Sequence, residues 1–403
     1  VGATDGFALL GKLTANRPDD SVAGGVFNAN ISRAGLGDVV KPGGAPYESS
    51  ERSIVLAAHV EQAEQQAAAA PFAGVVSAQT LNEAGFDRIQ LRADDRVVLA
   101  EGANLVGKNN ELRSVSLNTR VIEAQGAGSH LIRAHHVALG DKDLSKQKGE
   151  SDAVPVSTAA TSGDATLAVQ AGLIELYGHS ALRGLKQTEL AATLAANGRL
   201  TRRDGEVRLI GRPIADASGV VSQPELTGEL NFAGELAIQA GQTYASTLSD
   251  FQVNGVAGAS TLKVSMPAGG STSQTPLSAL GAMTLTAKAT EVDGVLRQPF
   301  GRIVINGEDT PQLGANSVLS VSGDGVKVPV GTTINQAQWL YLADGSTLAV
   351  DPTSPAAISL DQRVLSKGIL VKGKSLSIDG RSQMQAQAGG DLVAWEFVPG
   401  TGG

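Results

Sequence analysis

The chain has 403 residues, of which 42% are hydrophobic but only 3% aromatic, so a buried core must consist of Val, Leu, Ile and Ala. It contains no cysteine, which excludes disulfides, thiolate metal sites and thiol nucleophiles. The net charge of −8 argues against nucleic-acid binding, and no apolar stretch reaches the ~18 residues of a membrane-spanning helix.

The amino-terminal part has weak periodicity until a segment with high helix propensity. Residues 1–50 contain VFNANISRAGLGDVV, which is long enough for one or two short strands. Residues 49–70 predict a helix, because Ser49 or Ser50 can cap it and an Ala/Gln/Glu run follows. Pro71 ends this helix.

A second short helix is predicted over SAQTLNEAG. Ser77 is its amino-terminal cap, Leu81 and Ala84 share one face, and Gly85 is the stop signal. From Phe86 onward short strands replace helices, and FDRIQLRA is the first, with alternate residues on one face.

The strands form an internal repeat, a short alternating segment ended by Gly or Asp-Gly. TLAVQAG (Thr166–Gly172) and ELAIQAG (Glu235–Gly241) match at five of seven positions, with Val169 and Ile238 aligned. Looser copies are EVRLIG (206–211), AMTLTAKA (282–289), GRIVING (301–307), SVLSVSGDG (317–325), STLAVD (346–351) and KSLSIDG (374–380).

Strands this short cannot bury their apolar face alone, but stacked copies can, so the repeat predicts a β-solenoid. Small residues such as Ala168, Ala237 and Ala287 are expected inside a narrow core. The alternative fold is a pair of immunoglobulin-like sandwiches, which usually show a core Trp or a tyrosine corner and clearer hairpin turns.

Several of these segments resemble filamentous-haemagglutinin-like exoproteins. SAQTLNEAGFDRIQLRA matches a recurring phrase of that family, a short helix, Gly-Phe and the first solenoid strand. Further matches are TLAVQAGLIELYG, GELNFAGELAIQAGQTYASTLSDFQV, GVLRQPFGRI, LGANSVLSVSGDGVKVPVGTTINQAQWLY and GGDLVAWEFVPGTGG. They run in order over residues 77–403.

The resemblance implies a right-handed parallel β-helix in a secreted surface protein of a Gram-negative bacterium. Such proteins cross the outer membrane through a partner transporter, in two-partner secretion, and act as adhesins, biofilm-matrix scaffolds or stalks. The family's secretion domain and signal peptide are not recognisable here, so we expect a downstream part of a larger exoprotein.

We therefore expect two regions, an irregular or helical cap or linker over residues 1–76 and a β-helical exoprotein domain over residues 77–403. The Ala-rich helix within the first region has two readings. It caps an open end of the solenoid, which would otherwise expose unpaired backbone groups, or it docks another copy of the chain.

The histidines give no metal signature. In a strand, His135 and His136 point to opposite faces, whereas His130 and His136 lie on the same side. No zinc spacing such as HExxH is present. We expect surface or lateral-loop histidines, with no metal or cofactor.

Some β-helical proteins are polysaccharide lyases or hydrolases, which need clustered carboxylates and a basic partner on adjacent turns. The sequence offers no dense acidic motif and no calcium-binding repeat. We therefore expect no catalysis. The scattered candidates are Asp94, Asp95, Asp204, Glu206, Asp391 and Glu396.

Two aromatic pairs are candidate ligand-binding patches in this aromatic-poor chain. Trp339 and Tyr341 alternate along one strand, as do Trp395 and Phe397, so each pair shares a face. One interpretation is a stacking platform for a carbohydrate, and the other is a packing cluster where the solenoid changes shape.

Together these features predict a non-catalytic, secreted, cell-surface segment with an adhesive or matrix-scaffolding role. Its expected partners are the outer-membrane transporter, a surface polysaccharide or host glycan, and further copies joined end to end, without nucleic acid or a membrane span. The alternatives are a self-assembling extracellular filament subunit and, less favoured, a polysaccharide-active enzyme.

Overall fold

The structure is a computed structural model. It describes residues 1–3, 6–15, 24–32, 51–70, 73–110, 112–142, 157–196, 199–215, 221–272, 274–334, 338–343, 346–350 and 366–396. In these residues the chain forms an all-β parallel β-helix with two short α-helices, which confirms the predicted fold class.

The elements of the first half include both α-helices and a short 3-10 helix at Lys108–Asn110. They are β1 (Gly2–Ala3), β2 (Phe7–Leu9), β3 (Val26–Ile31), β4 (Ser53–Ala57), α1 (Val60–Ala69), β5 (Ala73–Ser77), α2 (Ala78–Ala84), β6 (Arg88–Ala93), β7 (Arg96–Leu99), β8 (Ser114–Asn118), β9 (Val121–Ala124), β10 (Ser129–Arg133), β11 (His136–Gly140), β12 (Thr161–Gln170), β13 (Leu173–Tyr177), β14 (His179–Ala191), β15 (Leu194–Ala196) and β16 (Arg199–Arg202).

The described elements of the second half are all strands. They are β17 (Glu206–Ile210), β18 (Arg212–Ala215), β19 (Val221–Phe232), β20 (Glu235–Gln239), β21 (Gln242–Ala245), β22 (Ser249–Gly255), β23 (Thr261–Ser265), β24 (Ala282–Ala287), β25 (Ala289–Asp293), β26 (Val295–Arg297), β27 (Arg302–Gly307), β28 (Gln312–Leu313), β29 (Val318–Ser320), β30 (Lys327–Ile334), β31 (Gln338–Ala343), β32 (Ser346–Ala349), β33 (Gly368–Lys372), β34 (Ser377–Ile378), β35 (Gln383–Gln385) and β36 (Asp391–Trp395).

The coil has three faces, and each turn of it, a rung, adds parallel strands to them. Face A is an 11-stranded sheet among the described residues, in the order β1-β3-β6-β8-β11-β13-β17-β21-β26-β29-β35. Face B runs through β2-β5-β4-β7-β9-β14-β19-β22-β24-β27-β33. Face C runs through β10-β12-β14-β20-β23-β25-β28-β34.

Strand β14 belongs to two faces because it turns the corner between them. Its first part, Ala181–Arg183, pairs with β9 on face B, and its last part, Gln187–Ala191, pairs with β20 on face C. Gly184 lies at the corner with φ +69°, and a Cβ there would overlap the carbonyl oxygen of Ala124. Only glycine fits this position without strain.

Columns of aliphatic side chains fill the interior. Leu117 on face A lies in register between Leu91 and Leu139, and all three are buried. This column continues through Leu176 and Leu209, and a second column beside it consists of Ile89, Val115, Val137, Ile174 and Val207. Each rung therefore covers the apolar surface of its neighbour, which is the driving force that a single short strand lacks.

The sequence repeat corresponds to this stacking. TLAVQAG lies in β12 and ELAIQAG in β20, two rungs apart on face C with β14 between them. Val169 and Ile238 both point inward, in register with Leu190. Ala287 is inside as expected, but the prediction for Ala168 and Ala237 was wrong, because they neighbour inward residues and face outward.

Helix α2 agrees with its predicted caps. The Ser77 side chain accepts a hydrogen bond from the Thr80 N–H, and Gly85 ends the helix at φ +83°. Leu81 and Ala84 are buried, as expected for one face.

The predicted helix over 49–70 was wrong in its first part, because Ser53–Ala57 is strand β4. The segment is apolar on both sides, since Ile54 and Leu56 join the interior while Val55 and Ala57 pack beneath α1. The helix begins only after His59, whose side chain accepts from the Gln62 N–H. Ser49 and Ser50 lie outside the described residues.

Helix α1 covers the outside of face B near its amino-terminal end. Ala63 and Ala67 of this helix, with its carboxy-terminal cap Ala70, form a small core with residues of β4, β5 and β7. Because β4, α1 and β5 follow one another and the two strands pair in parallel, they form a βαβ crossover added to the coil.

Strands on both sides of residue 76 belong to the same sheets. On face A, β3 pairs with β6, and on face B, β4 pairs with β7. The expected boundary between 76 and 77 thus lies within a continuous paired region.

Within the described residues, three excursions leave the coil as antiparallel strands. One is the hairpin β15-β16, one joins β18 to the first part of β19, and one is the meander β30-β31-β32. Strand β36 pairs in parallel with β30, which completes a four-stranded lateral sheet in the order β32-β31-β30-β36. STLAVD is therefore a strand, as expected, but of the lateral sheet.

Replacing Leu117 by alanine should lower the free energy of unfolding by about 2–5 kcal/mol, because it leaves a cavity in a packed column. Chemical denaturation followed by circular dichroism measures this. The matched control is Ser116→Ala, one residue away on the outer side, with an expected change within about 0.5 kcal/mol. Equal losses for both variants would contradict the assigned strand phase.

Candidate functional site

A polar cluster lies on the outer surface of face A. Its members, hereafter the outer network, are His136, Glu175, Tyr177, Glu206, Arg208, Gln242, Tyr244 and Arg297. Strand alternation points these side chains outward, and the register aligns them across rungs: Glu175 pairs with Arg208, and Arg208 pairs with Tyr244. The cluster is thus assembled from residues 33 and 36 positions apart in the chain.

Glu175 receives contacts from three rungs. One carboxylate oxygen lies 2.8 Å from His136 Nε2 and accepts a hydrogen bond of 2.8 Å from the Tyr177 hydroxyl. The other lies 3.7 Å from the Arg208 guanidinium. Burial alone would raise the pKa of Glu175, but the bonds from His136 and Tyr177 and the nearby charges outweigh it and lower the pKa.

Arg208 connects the second half of the network. Its Nε donates to the Tyr244 hydroxyl at 2.5 Å, and its terminal nitrogen contacts Glu206 at 3.1 Å. The Tyr244 hydroxyl in turn donates to Glu206 at 2.9 Å. Burial raises the pKa of Tyr244, which keeps it a neutral donor, and the contacts with Tyr244 and Glu206 outweigh burial and raise the pKa of Arg208.

Gln242 extends the network to the next rung. Its amide donates to Glu206 at 2.8 Å and to the carbonyl of Gln274 at 2.9 Å, while its oxygen accepts from Arg297 at 3.2 Å. The carbonyl of Gln274 belongs to the segment between β23 and β24, which therefore lies against this part of face A.

The network brings two carboxylates and a basic partner onto adjacent rungs, as a polysaccharide-active enzyme would require. A glycoside hydrolase also needs one carboxyl group with a raised pKa to act as the acid. Glu175 has the opposite shift, and Glu206 already accepts bonds from Arg208, Gln242 and Tyr244. The contacts of these groups join neighbouring rungs on the outside of the coil.

The six carboxylates singled out in the sequence are dispersed, and only Glu206 joins the network. Asp94 and Asp95 form the expected turn, and buried Asp95 accepts from the Arg52 N–H at 2.5 Å. Glu396 accepts from Thr333 at 3.2 Å. Asp204 precedes β17 and Asp391 begins β36, far from each other in the chain.

Sequence reasoning missed Glu175, Arg208 and Tyr244. Each looks like an ordinary outward residue of a short strand, and only the register between rungs reveals their contacts. The sole available signal was the charge pattern of LIELYG and EVRLIG once those two segments are stacked.

The histidines do not form a group. His130 and His136, expected on one side, lie on different faces, because the chain turns a corner at Ala134 and His135 between β10 and β11. His130 points into the core: its Nδ1 lies 3.1 Å from the Ala103 carbonyl, and burial lowers its pKa. Its Nε2 is buried without a hydrogen-bond partner in the described structure.

The first aromatic pair packs against the coil. Trp339 and Tyr341 lie on the inner side of the lateral sheet, beside a second core that includes Leu248, Leu280 and Phe300. The Trp339 indole N–H donates to the Val330 carbonyl.

Only one member of the second aromatic pair lies within the described residues. Trp395 has 57% of its surface exposed, on the outer side of the lateral sheet. Phe397 lies outside the described residues, so its predicted partnership with Trp395 stays a prediction.

A shallow depression near α2 has a volume of about 250 Å³, lined by Ala58, Asn82, Glu83 and Asn104 among others. The Asn82 oxygen already accepts from the N–H groups of Val106 and Gly107. Within the described residues, no group of three His, Asp or Glu side chains is placed to hold a metal ion. No described helix is long and apolar enough to cross a membrane.

In comparisons with known proteins, no family model, no curated protein and no solved structure matches this chain.

Replacing Glu175 by glutamine should destabilise the fold by about 1–3 kcal/mol at neutral pH, because three donors lose a charged acceptor. The folded-state pKa of Glu175 lies below its ordinary value of 4.5, so its contribution is present above pH 4.5 and is lost as pH falls through the folded-state pKa. Denaturation at several pH values should show the two proteins converging in acid.

The control is Glu64→Gln on the exposed side of α1, which should change stability little at any pH. A difference between wild type and Glu175→Gln that stays constant down to strongly acidic pH would contradict the assigned role of the Glu175 charge.

Proposed function

We propose that this chain is a non-catalytic, rod-like segment of a secreted surface exoprotein, with an adhesive or matrix-scaffolding role. The observation that carries the proposal is the unbroken parallel pairing of face A from β1 to β35 across the described strands. Eleven strands at ~4.8 Å spacing extend about 50 Å. Such a rod holds a distal part at a distance or offers a long lateral surface.

Two further observations support it. The carboxylates of the outer network contact residues of neighbouring rungs, Glu175 through His136 and Arg208 and Glu206 through Gln242 and Tyr244, which suits a load-bearing surface better than a reaction centre. The sequence also resembles filamentous-haemagglutinin-like exoproteins over residues 77–403. From that resemblance we propose export through an outer-membrane partner, a Gram-negative cell-surface location and a surface polysaccharide or host glycan as ligand.

A second candidate function is a self-assembling extracellular filament subunit. It is favoured by the last described rung, where Ile378 and Met384, which continue interior columns, are 49% and 48% exposed. A further rung stacked on them would bury these side chains.

The purified chain should bind a surface polysaccharide and therefore migrate more slowly in native gels that contain it. The polymer should remain intact. A panel of neutral and acidic bacterial polysaccharides is tested both for this retardation and for new reducing ends or unsaturated products. Negative-stain electron microscopy of the same samples reports particle shape, with single short rods expected.

The double variant Glu175→Gln/Glu206→Gln is the matched control for catalysis. Polymer cleavage by wild type that this variant loses would contradict the non-catalytic proposal. Long fibres at high concentration, with no polysaccharide retained, would favour the filament subunit instead.

A further inference from the structure

The outer side of the lateral sheet is an exposed apolar surface. Trp395, Leu342 and Ile334 are 57%, 63% and 45% exposed. Register places them on one side: Thr332 pairs with both Trp395 and Leu340, and Ile334 and Leu342 follow two residues later on their strands. We define this outer patch as Trp395, Val393, Pro329, Ile334, Leu340 and Leu342.

The patch differs from the inner side of the same sheet. Val328 and Val330 are buried, and Trp339, Tyr341 and Leu392 pack with them against the coil. Both sides of this small sheet are therefore apolar, although only one is covered. A sheet with two apolar sides is the pattern of a layer packed between two others.

Contiguous exposed apolar surface rimmed by polar groups marks an interaction site. The aliphatic content of the patch, Ile334, Leu340 and Leu342 beside one indole, fits a protein surface better than the hydroxyl-rich surface of a sugar. Exposed tryptophan is also the residue type most enriched among the energetically dominant contacts of protein interfaces.

We propose that the outer patch binds the same patch of a second copy of this chain, face to face, so that two rods associate side by side. Two flat sheet sides of this kind pack well at ~10 Å separation. A two-fold axis through the contact places the patch of one copy against the same patch of the other.

The charges at one end of the patch suit such a pairing. Lys327 and Asp391 are paired in register and both exposed, next to Pro329 and Val393. When two copies meet about a two-fold axis, Lys327 of one copy can face Asp391 of the other, so the rim is electrostatically complementary to itself.

The size of the contact sets the expected strength. The four strands have eight, six, four and five residues, and at ~3.3 Å per residue and ~4.8 Å spacing they give a sheet side of roughly 360 Å². The total buried area of about 700 Å² lies below the range of stable specific interfaces and corresponds to weak association. We therefore expect a reversible dimer that forms with rising concentration. The inference does not depend on the adhesive role proposed above.

Sedimentation velocity of the full chain from low to high micromolar concentration tests this. The expected result is a shift from the 41.0 kDa monomer to a species of twice that mass. Trp395→Ser and Leu342→Ser should each weaken the dimer at least tenfold. Val256→Ser is the matched control, because Val256 is also an exposed apolar residue, 39% exposed, but lies beyond β22.

The rim charges give a second test. Lys327→Glu should weaken association, and the exchange Lys327→Glu/Asp391→Lys should restore it. Because these side chains are exposed, all variants should keep the wild-type circular dichroism spectrum and melting temperature, which separates loss of association from unfolding.

Tryptophan fluorescence identifies the buried surface. The chain has two tryptophans, so the difference between wild type and Trp395→Phe isolates Trp395, which should lose access to an aqueous quencher as the dimer forms. A monomer at every concentration would overturn the proposal. So would dimers unaffected by Trp395→Ser, or protection of Trp395 by a polysaccharide or lipid vesicles at constant monomer mass.

Discussion

The structure depends on one constraint, the vertical register that stacks an apolar side chain of each rung on an apolar side chain of the next. Strands of three to six residues bury little by themselves, yet columns such as Leu91, Leu117 and Leu139 are closed to water because each member covers its neighbour. A shift of one residue in any strand would turn its interior side chains outward. The core is thus specified locally, rung by rung, and the low aromatic content follows from the narrow interior.

The same register organises the outside. It aligns Glu175, Arg208 and Tyr244 in one column, so that groups distant in the chain clamp successive rungs together. It also carries over to the lateral sheet, where β36 lies one rung beyond β30 just as β35 lies beyond β29. Function is therefore expected on surfaces that the coil displays, and the outer patch around Trp395 is such a surface. A rod with a lateral contact is the kind of unit that the proposed matrix-scaffolding role requires.

Much of this fold could be predicted from sequence because its signals are local. Ser77 and Gly85 encode both ends of α2, and the period of two in EVRLIG and GRIVING fixes which residues face inward. Segment β4 was mistaken for helix because its apolar run is buried on both sides and so lacks alternation. The outer network escaped prediction for another reason: its contacts exist only after rungs of different lengths are aligned. The same holds for His130, whose inward direction depends on the corner at Ala134.

The most direct test of the register uses the absence of natural cysteine. Gln90 and Ser116 face outward and are paired across β6 and β8, at the ~4.8 Å spacing that permits a disulfide. The double variant Gln90→Cys/Ser116→Cys should oxidise to an intramolecular disulfide nearly completely. Gln90→Cys/Ser114→Cys, displaced diagonally by two residues, should remain reduced under the same conditions. Efficient bridging of the diagonal pair, or none in the aligned pair, would contradict the stacked register on which the account rests.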